Sequence, residues 1–256
     1  MLDIRDDGPV ARLVLNRPEL RNAFDDALVM RVTEAARGLA EDGRARVVVL
    51  EGAGPVFCAG ADLNWMSRMM AYSSDENILD ASRLAIMFQT LNTLPLPVIA
   101  RVQGAALGGG AGLAAVADIV VADDEAVFGF TEVKLGILPA VISPYVLAKI
   151  GSSAARELFL TGARFSAARA KEIGLAHYVV KAGDLDVEVT RLTRELLSSG
   201  PGAMAVVKEL VRRIACEPPD DVIGLTSGAI ARQRVSPEGQ EGIRAFLEKR
   251  RPDWAR

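Results

Sequence analysis

Two glycine-rich segments carry chemistry in this sequence, because each can present backbone N–H groups to a ligand. Residues 104–112 lie between a predicted strand and a predicted helix, and residues 57–63 have the same strand, small-residue loop and helix order. The N–H groups in the first turn of a helix have no partner within the helix, and the helix dipole makes that end positive. Two such loops could bind an oxygen on which negative charge develops. The alternative interpretation is that the glycines serve only close helix packing.

Glu132 is the carboxylate best suited to acid–base chemistry. It stands in residues 128–139, where most of its neighbours are apolar. Burial there would raise the pKa of Glu132 toward the range of a general acid or base, because burial disfavours the charged form. The alternative is a surface carboxylate paired with Lys134.

The composition excludes several other kinds of site. The chain has one histidine, His177, and two cysteines, Cys58 and Cys216, which are too few for a zinc site with four Cys or His ligands. We interpret His177 as structural, because it stands at the start of a predicted strand. A dinucleotide-binding fingerprint would need glycine where Leu113 stands, and no P-loop sequence is present.

Charge and hydropathy narrow the expected partners and location. Lys and Arg number 30 against 33 Asp and Glu, a net charge of −3, and no basic block is present, so we expect no nucleic-acid partner.

The N-terminus has no signal-peptide core, which predicts a cytoplasmic protein. The uncharged runs 102–117 and 135–148 are shorter than the roughly 20 residues that span a bilayer, so we expect buried core and no membrane anchor. The two distant cysteines give no reason to expect a disulfide.

The elements that must position these groups alternate between strand and helix. Short β-branched runs predict strands, and apolar residues at helical spacing predict helices between them. Asp25, Asp26 and Asp62 are suited to helix starts. This alternation favours α/β layering. The predicted strands are 10–15, 46–50, 97–102 and 119–122, and the predicted helices are 24–40, 62–70, 77–93 and 109–116.

The last third of the chain is predicted to be mostly helical. Several of its helices are apolar on more than one side, which favours packing against the core or another subunit over an independent domain. The predicted helices are 152–160, 167–173, 184–198, 201–214, 220–234 and 237–250.

Five ordered motifs resemble one family across nearly the whole chain, the enoyl-CoA hydratase/isomerase (crotonase) superfamily. Each motif alone is weak, but their order and spacing are specific. They are Leu-Asn-Arg-Pro at 15–18 with Asn-Ala-Phe at 22–24, Phe-Cys-Ala-Gly-Ala-Asp-Leu at 57–63, the glycines of 104–110, Thr-Glu to Pro at 131–139, and residues 241–250.

The resemblance implies a fold and a way of using coenzyme A. The fold would be α/β, a crotonase-like spiral of ββα units with a helical C-terminal region that forms a homotrimer, often paired into a homohexamer. Residues 1–195 would form the crotonase-like core, and residues 196–256 the C-terminal helical trimerisation region. The family needs no redox cofactor or metal, since coenzyme A arrives as part of the acyl-CoA thioester substrate.

The resemblance also implies roles for individual residues. The backbone N–H groups of Ala61 and Gly109 match the family's oxyanion hole, and Glu132 matches the second of its two catalytic glutamates. The residues that match the CoA-binding positions are Arg21, Ala23, Ala59, Asp62, Leu63 and Gly108.

The chain departs from the family pattern at Gly112. Two-glutamate hydratases carry their first glutamate at this position, so half of the usual acid–base pair is missing. A hydratase that adds water across a 2-enoyl-CoA is still the favoured prediction, because the segments around Ala61 and Glu132 resemble a bacterial subgroup associated with methylglutaconyl-type CoA esters. Such a substrate brings its own carboxylate, which could help to hold the water. The alternatives are a 3,2-enoyl-CoA isomerase using the single glutamate and a non-catalytic acyl-CoA-binding member.

Overall fold

A large sheet forms the frame on which the site is built. The structure, a computed structural model, describes residues 1–215 and 222–255. The strands are β1 (Leu2–Asp7), β2 (Val10–Leu15), β3 (Val47–Gly52), β4 (Val98–Val102), β5 (Ala105–Leu107), β6 (Ile119–Asp123), β7 (Val127–Gly129), β8 (Arg164–Ser166) and β9 (Tyr178–Val180). Within these residues the large sheet has the order β1-β2-β3-β4-β6-β9, and a smaller sheet has the order β5-β7-β8.

Helices cover both faces of the large sheet. The helices of the described residues are α1 (Asp26–Asp42), α2 (Leu63–Met69), α3 (Ser74–Thr93), α4 (Gly109–Val116), α5 (Ser143–Thr161), α6 (Ala167–Glu172), α7 (Leu185–Ser198), α8 (Pro201–Ile214), α9 (Ile223–Val235) and α10 (Pro237–Leu247). In the large sheet β2, β3, β4, β6 and β9 run parallel, and β1 pairs antiparallel with β2 at the edge. Parallel strands covered on both sides are apolar throughout, as the fully buried Val47, Val48, Val49 and Leu50 are.

The two faces of the large sheet pack against different helices. Val48 and Leu50 point into the main core, which contains residues of α1, α3 and α4. Val47 and Val49 point to the other face, where they meet Leu185 and other residues of α7. The α/β layering that the sequence predicts is confirmed, and the site forms on the α4 side.

The main predicted elements are confirmed with small shifts at their ends. Asp25 caps α1, where its side chain accepts a hydrogen bond from the Leu28 N–H at 2.9 Å, and Asp62 caps α2.

The edge strand β1 was not predicted, because its charged residues hide the alternation of apolar and polar residues and because pairing with β2 stabilises it. The predicted helix 152–160 starts too late. The structure begins α5 at Ser143 and bends it at Gly151, whose φ of 69° breaks the regular spacing that predicts helices.

The C-terminal helices lie apart from the main core. No described residue of α8 is buried, and the buried residues of α9 and α10 are Ala229 and Ala245. The first residues of the predicted helix 220–234, like Cys216, lie outside the described residues, and the observed α9 starts at Ile223. Within the described part of the chain, we find no helix with the length and apolar character needed to cross a membrane.

Candidate active site

The N-terminus of α4 supplies one predicted hydrogen-bond donor. Strand β5 ends at Leu107 and the helix begins at Gly109, so the turn between them falls at Gly108, whose φ is 52°. The Gly112 N–H donates to the Gly108 carbonyl at 3.1 Å, which closes the first helical turn. Among the described residues, the Gly109 N–H has no acceptor. It is therefore free to donate to a ligand at the positive end of the helix.

The second predicted donor, the Ala61 N–H, lies in a loop held by a parallel bridge between Phe24 and Ala61. The Phe24 N–H donates to the Gly60 carbonyl at 2.9 Å, and the Asp62 N–H donates to the Phe24 carbonyl at 2.9 Å. These bonds use the groups on either side of Ala61, and its own N–H has no acceptor in the described part of the chain. In an extended segment successive N–H groups point to opposite sides, so this N–H points away from Phe24.

The two donor loops lie next to each other, and glycines allow the approach. A Cβ atom built on Gly60 would stand 3.6 Å from the Gly109 nitrogen, and Gly60 itself has a φ of 96°. A Cβ on Gly109 would overlap the ring of Phe24, and one on Gly110 would overlap the Cys58 carbonyl. The glycines that allow the two loops to pack closely are therefore also the residues at or next to the free N–H groups.

Glu132 lies beside the donor loops. It begins a 3₁₀ turn, Glu132–Leu135, and its Oε1 atom would stand 3.3 Å from a Cβ built on Gly108. Its Oε2 atom is buried and has no hydrogen-bond partner among the described residues. No ion pair joins Glu132 to Lys134 within that part of the chain. Burial raises the pKa of Glu132 above its ordinary value, which suits an acid–base group.

Gly112, the position of the missing first glutamate, is closed by apolar side chains. A Cβ atom built there would overlap Ile142 Cγ2 and would stand 3.2 Å from Phe88 Cε1. Phe88 is fully buried, and Ile142 is nearly so. The space into which a side chain at position 112 would project is therefore filled, and Glu132 stands without a second carboxylate at this point.

Most of the residues that match the CoA-binding positions lie in or next to the Ala61 loop, whereas Gly108 lies in the Gly109 loop. The Ala59 N–H donates to the Arg21 carbonyl at 3.0 Å, and Ala23 is buried. The Leu63 side chain is 81% exposed, whereas Asp62 is buried.

The Asp62 carboxylate is already engaged within the protein. It accepts hydrogen bonds from the N–H groups of Asn64 and Trp65 at the start of α2, and a third from Arg17. These bonds and the positive charge of Arg17 hold the pKa of Asp62 below its ordinary value, although burial opposes them. A ligand could therefore meet the backbone at this position more readily than the carboxylate.

His177 lies outside this group of residues and joins two strands of the large sheet. Its Nδ1 atom accepts a hydrogen bond from the Val120 N–H at 3.0 Å. The backbone N–H of His177 donates to the Val120 carbonyl at 3.0 Å. Burial lowers the pKa of His177 and favours its neutral form. The hydrogen bonds support the structural interpretation of this histidine.

Comparison with known proteins decides the family. The family model described as enoyl-CoA hydratase/isomerase matches residues 5–256. The chain belongs to the enoyl-CoA hydratase/isomerase family. Family membership supports an acyl-CoA thioester as the substrate.

Solved structures of this enoyl-CoA hydratase/isomerase family match the fold along its whole length. An enoyl-CoA hydratase from Shewanella pealeana ATCC 700345 is 40% identical, with a TM-score of 0.95 over 99% of this chain and 95% of that one. Pseudomonas aeruginosa AtuE is 34% identical, with a TM-score of 0.95 over 100% and 99% of the two chains. An enoyl-CoA hydratase from Mycobacterium smegmatis is 34% identical, with a TM-score of 0.92 over 100% and 98%. The predicted crotonase-like fold and its helical C-terminal region are confirmed.

Three residues that shape this enoyl-CoA hydratase/isomerase site were not predicted as site residues from the sequence. Ile142 and Phe88 close the space at Gly112, and no local pattern distinguishes them from other core residues. Arg17 was noted only as part of a motif, although a charged residue between a predicted strand and a proline is a signal that could have been followed.

Proposed function

We propose that this protein adds water across the double bond of a 2-enoyl-CoA thioester, with Glu132 as its general acid and base. The observation that carries the proposal is the position of Glu132. One oxygen of its carboxylate is buried and has no partner among the described residues, and the other lies beside the glycine that precedes the free Gly109 N–H. A proton-transfer group next to free donors is what enolate chemistry on a thioester requires.

In this mechanism the thioester carbonyl oxygen accepts hydrogen bonds from the Ala61 and Gly109 N–H groups. Water attacks C3 of the acyl chain and transfers a proton to the Glu132 carboxylate, while the electrons of the double bond move to the carbonyl oxygen as an enolate. Glu132 then returns the proton to C2, and the enolate collapses to the thioester. The two backbone donors stabilise the negative charge, and losing one such donor typically costs roughly 100- to 1,000-fold in rate. Coenzyme A enters as part of the substrate, so the chain's own residues supply the acid, the base and the donors.

The filled space at Gly112 bears on the choice of substrate. A second glutamate would help to hold the attacking water, but Ile142 and Phe88 present only apolar atoms there. A glutaconyl-type acyl chain, with or without a branch, carries a distal carboxylate that could hold the water instead. We therefore propose a substrate of this type over a straight-chain enoyl-CoA.

The same apolar wall favours a second candidate, 3,2-enoyl-CoA isomerisation. This reaction moves one proton between C4 and C2 and needs no water, so a single buried carboxylate suffices. It would use the same donors and Glu132.

We also propose that the CoA portion lies along Arg21, Ala23, Ala59, Leu63, Gly108 and the backbone of Asp62, and that the chain assembles as a homotrimer or homohexamer. The exposed apolar residues of the C-terminal helices support assembly through residues 196–256. Among the described residues they are Val206, Val207, Val211, Ile214, Ile223, Ile230, Val235, Ile243, Phe246 and Leu247.

A product assay with three substrates tests the proposed function. We expect 3-methylglutaconyl-CoA to gain the mass of one water, crotonyl-CoA to react more slowly, and a 3-enoyl-CoA to be the poorest substrate. Equal hydration of crotonyl-CoA would contradict the role of the substrate carboxylate. Conversion of the 3-enoyl-CoA to the 2-enoyl isomer without any hydration would favour the second candidate. Binding of acyl-CoA without turnover of any substrate would indicate a non-catalytic family member.

A further inference from the structure

Arg17 lies at the centre of a buried junction beneath the donor loops. Its side chain is only 14% exposed, and its guanidinium contacts three oxygens. Nη2 donates to Asp62 Oδ2 at 2.9 Å, Nη1 donates to the Ala23 carbonyl at 2.9 Å, and Nη1 stands 3.1 Å from Asp25 Oδ2. A planar guanidinium can hold several oxygens in fixed directions at once, which a lysine ammonium on a flexible stem does less well.

The contact with Asp62 connects Arg17 to Ala61. Asp62 follows Ala61 directly, and its other carboxylate oxygen caps α2 through the Asn64 and Trp65 N–H groups. The Asp62 carboxylate is thus held from both sides, by Arg17 and by the helix. Fixing Asp62 restricts the Ala61–Asp62 peptide on one side of Ala61. The Ala61 N–H belongs to the Gly60–Ala61 peptide on the other side, and the Phe24 N–H holds that peptide by donating to the Gly60 carbonyl at 2.9 Å.

The contact with the Ala23 carbonyl connects Arg17 to Gly109. The Ala23 carbonyl that Arg17 holds belongs to the peptide linking Ala23 to Phe24. The Phe24 ring lies directly against Gly109, since a Cβ atom built on this glycine would overlap it. Arg17 therefore reaches both loops through different partners, and it can set the distance between the two donors.

We propose that Arg17 is a positioning residue for the oxyanion-binding N–H groups of Ala61 and Gly109. This inference rests on the proposed function, because it assumes that these two groups bind the thioester oxygen. Arg17 itself does not touch the reacting atoms. It acts through Asp62 and through the Ala23–Phe24 peptide, and it contributes by keeping both donors in the geometry that the developing enolate needs.

Replacement of Arg17 by Lys tests the proposal with a probe that needs no turnover. Acetoacetyl-CoA ionises to an enolate that absorbs in the near ultraviolet, so its enolate-to-keto ratio reports how well the bound oxygen is stabilised. We expect Arg17→Lys to lower this ratio roughly tenfold at a fixed pH, because a small misplacement of donors is costly. The dissociation constant of butyryl-CoA, which forms no stable enolate, should change by less than about threefold.

Two further variants keep the test decisive. Asp25→Asn removes one partner of Arg17 and keeps an oxygen that can cap α1, so it should behave like wild type. Asp62→Asn keeps an oxygen that can cap α2 but removes the charged partner of Arg17, so it should lower the ratio as Arg17→Lys does. If Arg17→Lys does not fold, Asp62→Asn carries the test alone.

The outcomes separate this inference from the proposed function. Wild-type protein that binds acetoacetyl-CoA without increasing its enolate fraction would contradict the oxyanion-binding role of Ala61 and Gly109, and both proposals with it. A wild-type increase that Arg17→Lys and Asp62→Asn leave unchanged would contradict the role of Arg17 alone, even if both variants melt at a lower temperature. A fall in kcat for the enoyl-CoA substrate with little change in KM would accompany the expected result.

Discussion

The candidate active site has two sides that are built in different ways. The donor side consists of the Ala61 and Gly109 N–H groups and the loops around them, held by backbone hydrogen bonds and by the buried Arg17 junction. The acid side consists of Glu132, which has a buried carboxylate oxygen without a partner among the described residues, and of the space at Gly112, which Ile142 and Phe88 close.

The difference shows where chemistry can change within such a site. Donors from the main chain depend on the path of the backbone, so most side-chain substitutions leave them in place. The acid side depends on which side chains stand at a few positions, and a glycine in place of one glutamate removes a carboxylate while the fold is kept. The acid side is therefore where this chain departs from the two-glutamate pattern.

The largest expected effect comes from removing the one carboxylate on the acid side. Glu132→Gln keeps the shape of the side chain but cannot accept the proton from water. General acid–base catalysis contributes roughly 100- to 10,000-fold, so we expect kcat for 3-methylglutaconyl-CoA hydration to fall by about that factor. The exposed Glu125 provides a matched control, and Glu125→Gln should leave kcat unchanged. A Glu132→Gln variant that hydrates this substrate at the wild-type rate would remove the acid side from the mechanism.

A smaller effect is expected when a side chain is introduced at the closed position. Gly112→Ala would force a methyl group against Ile142, and overpacking of this kind costs about 1–3 kcal/mol in the free energy of unfolding. We expect Ile142→Ala to reduce that cost in the double variant, since it removes the overlapping Cγ2 atom. Denaturant unfolding of the four proteins measures this coupling. Gly183→Ala is the control, because a Cβ there would have no neighbour within 4 Å. Additive costs at positions 112 and 142 would show that the space is not closed by Ile142.

The smallest expected effect is a pH-dependent change in melting temperature when Glu132 is replaced. Burial raises the pKa of Glu132 in the folded protein, so ionisation is less favourable there than in the unfolded chain. The resulting loss in the free energy of unfolding is absent at pH values below the pKa of Glu132 in the unfolded chain. It grows as the pH rises through the pKa of Glu132 in the folded protein. We therefore expect Glu132→Gln to melt at a higher temperature than wild type at pH 8, with a difference that disappears under acidic conditions. For a chain of this size, about 1 kcal/mol shifts Tm by roughly 2–4 °C. A lower Tm for the variant at pH 8 would indicate that the ionised Glu132 carboxylate is stabilised in the folded protein.

Much of the fold was predictable because its signals are local. The strand 10–15 and the helix at 109–116 match the structure at both ends, since their apolar patterns match a strand and a helix period. The helix caps at Asp25 and Asp62 were also predictable from residue type and position. The strand β1 and the first turns of α5 were missed. The first depends on pairing with β2, and the second lies before a glycine that interrupts the helical spacing.

The sequence by itself determined which groups this protein can use for chemistry. Glycines at two strand-to-helix junctions leave backbone donors free, one glutamate stands among apolar neighbours in the sequence, and Gly112 occupies the position of the first family glutamate. Only the tertiary structure decided what surrounds those groups. It showed that Ile142 and Phe88 close the space at Gly112 and that Arg17 joins the two donor loops. These contacts join residues that are distant along the chain, so packing decides them and no local pattern records them.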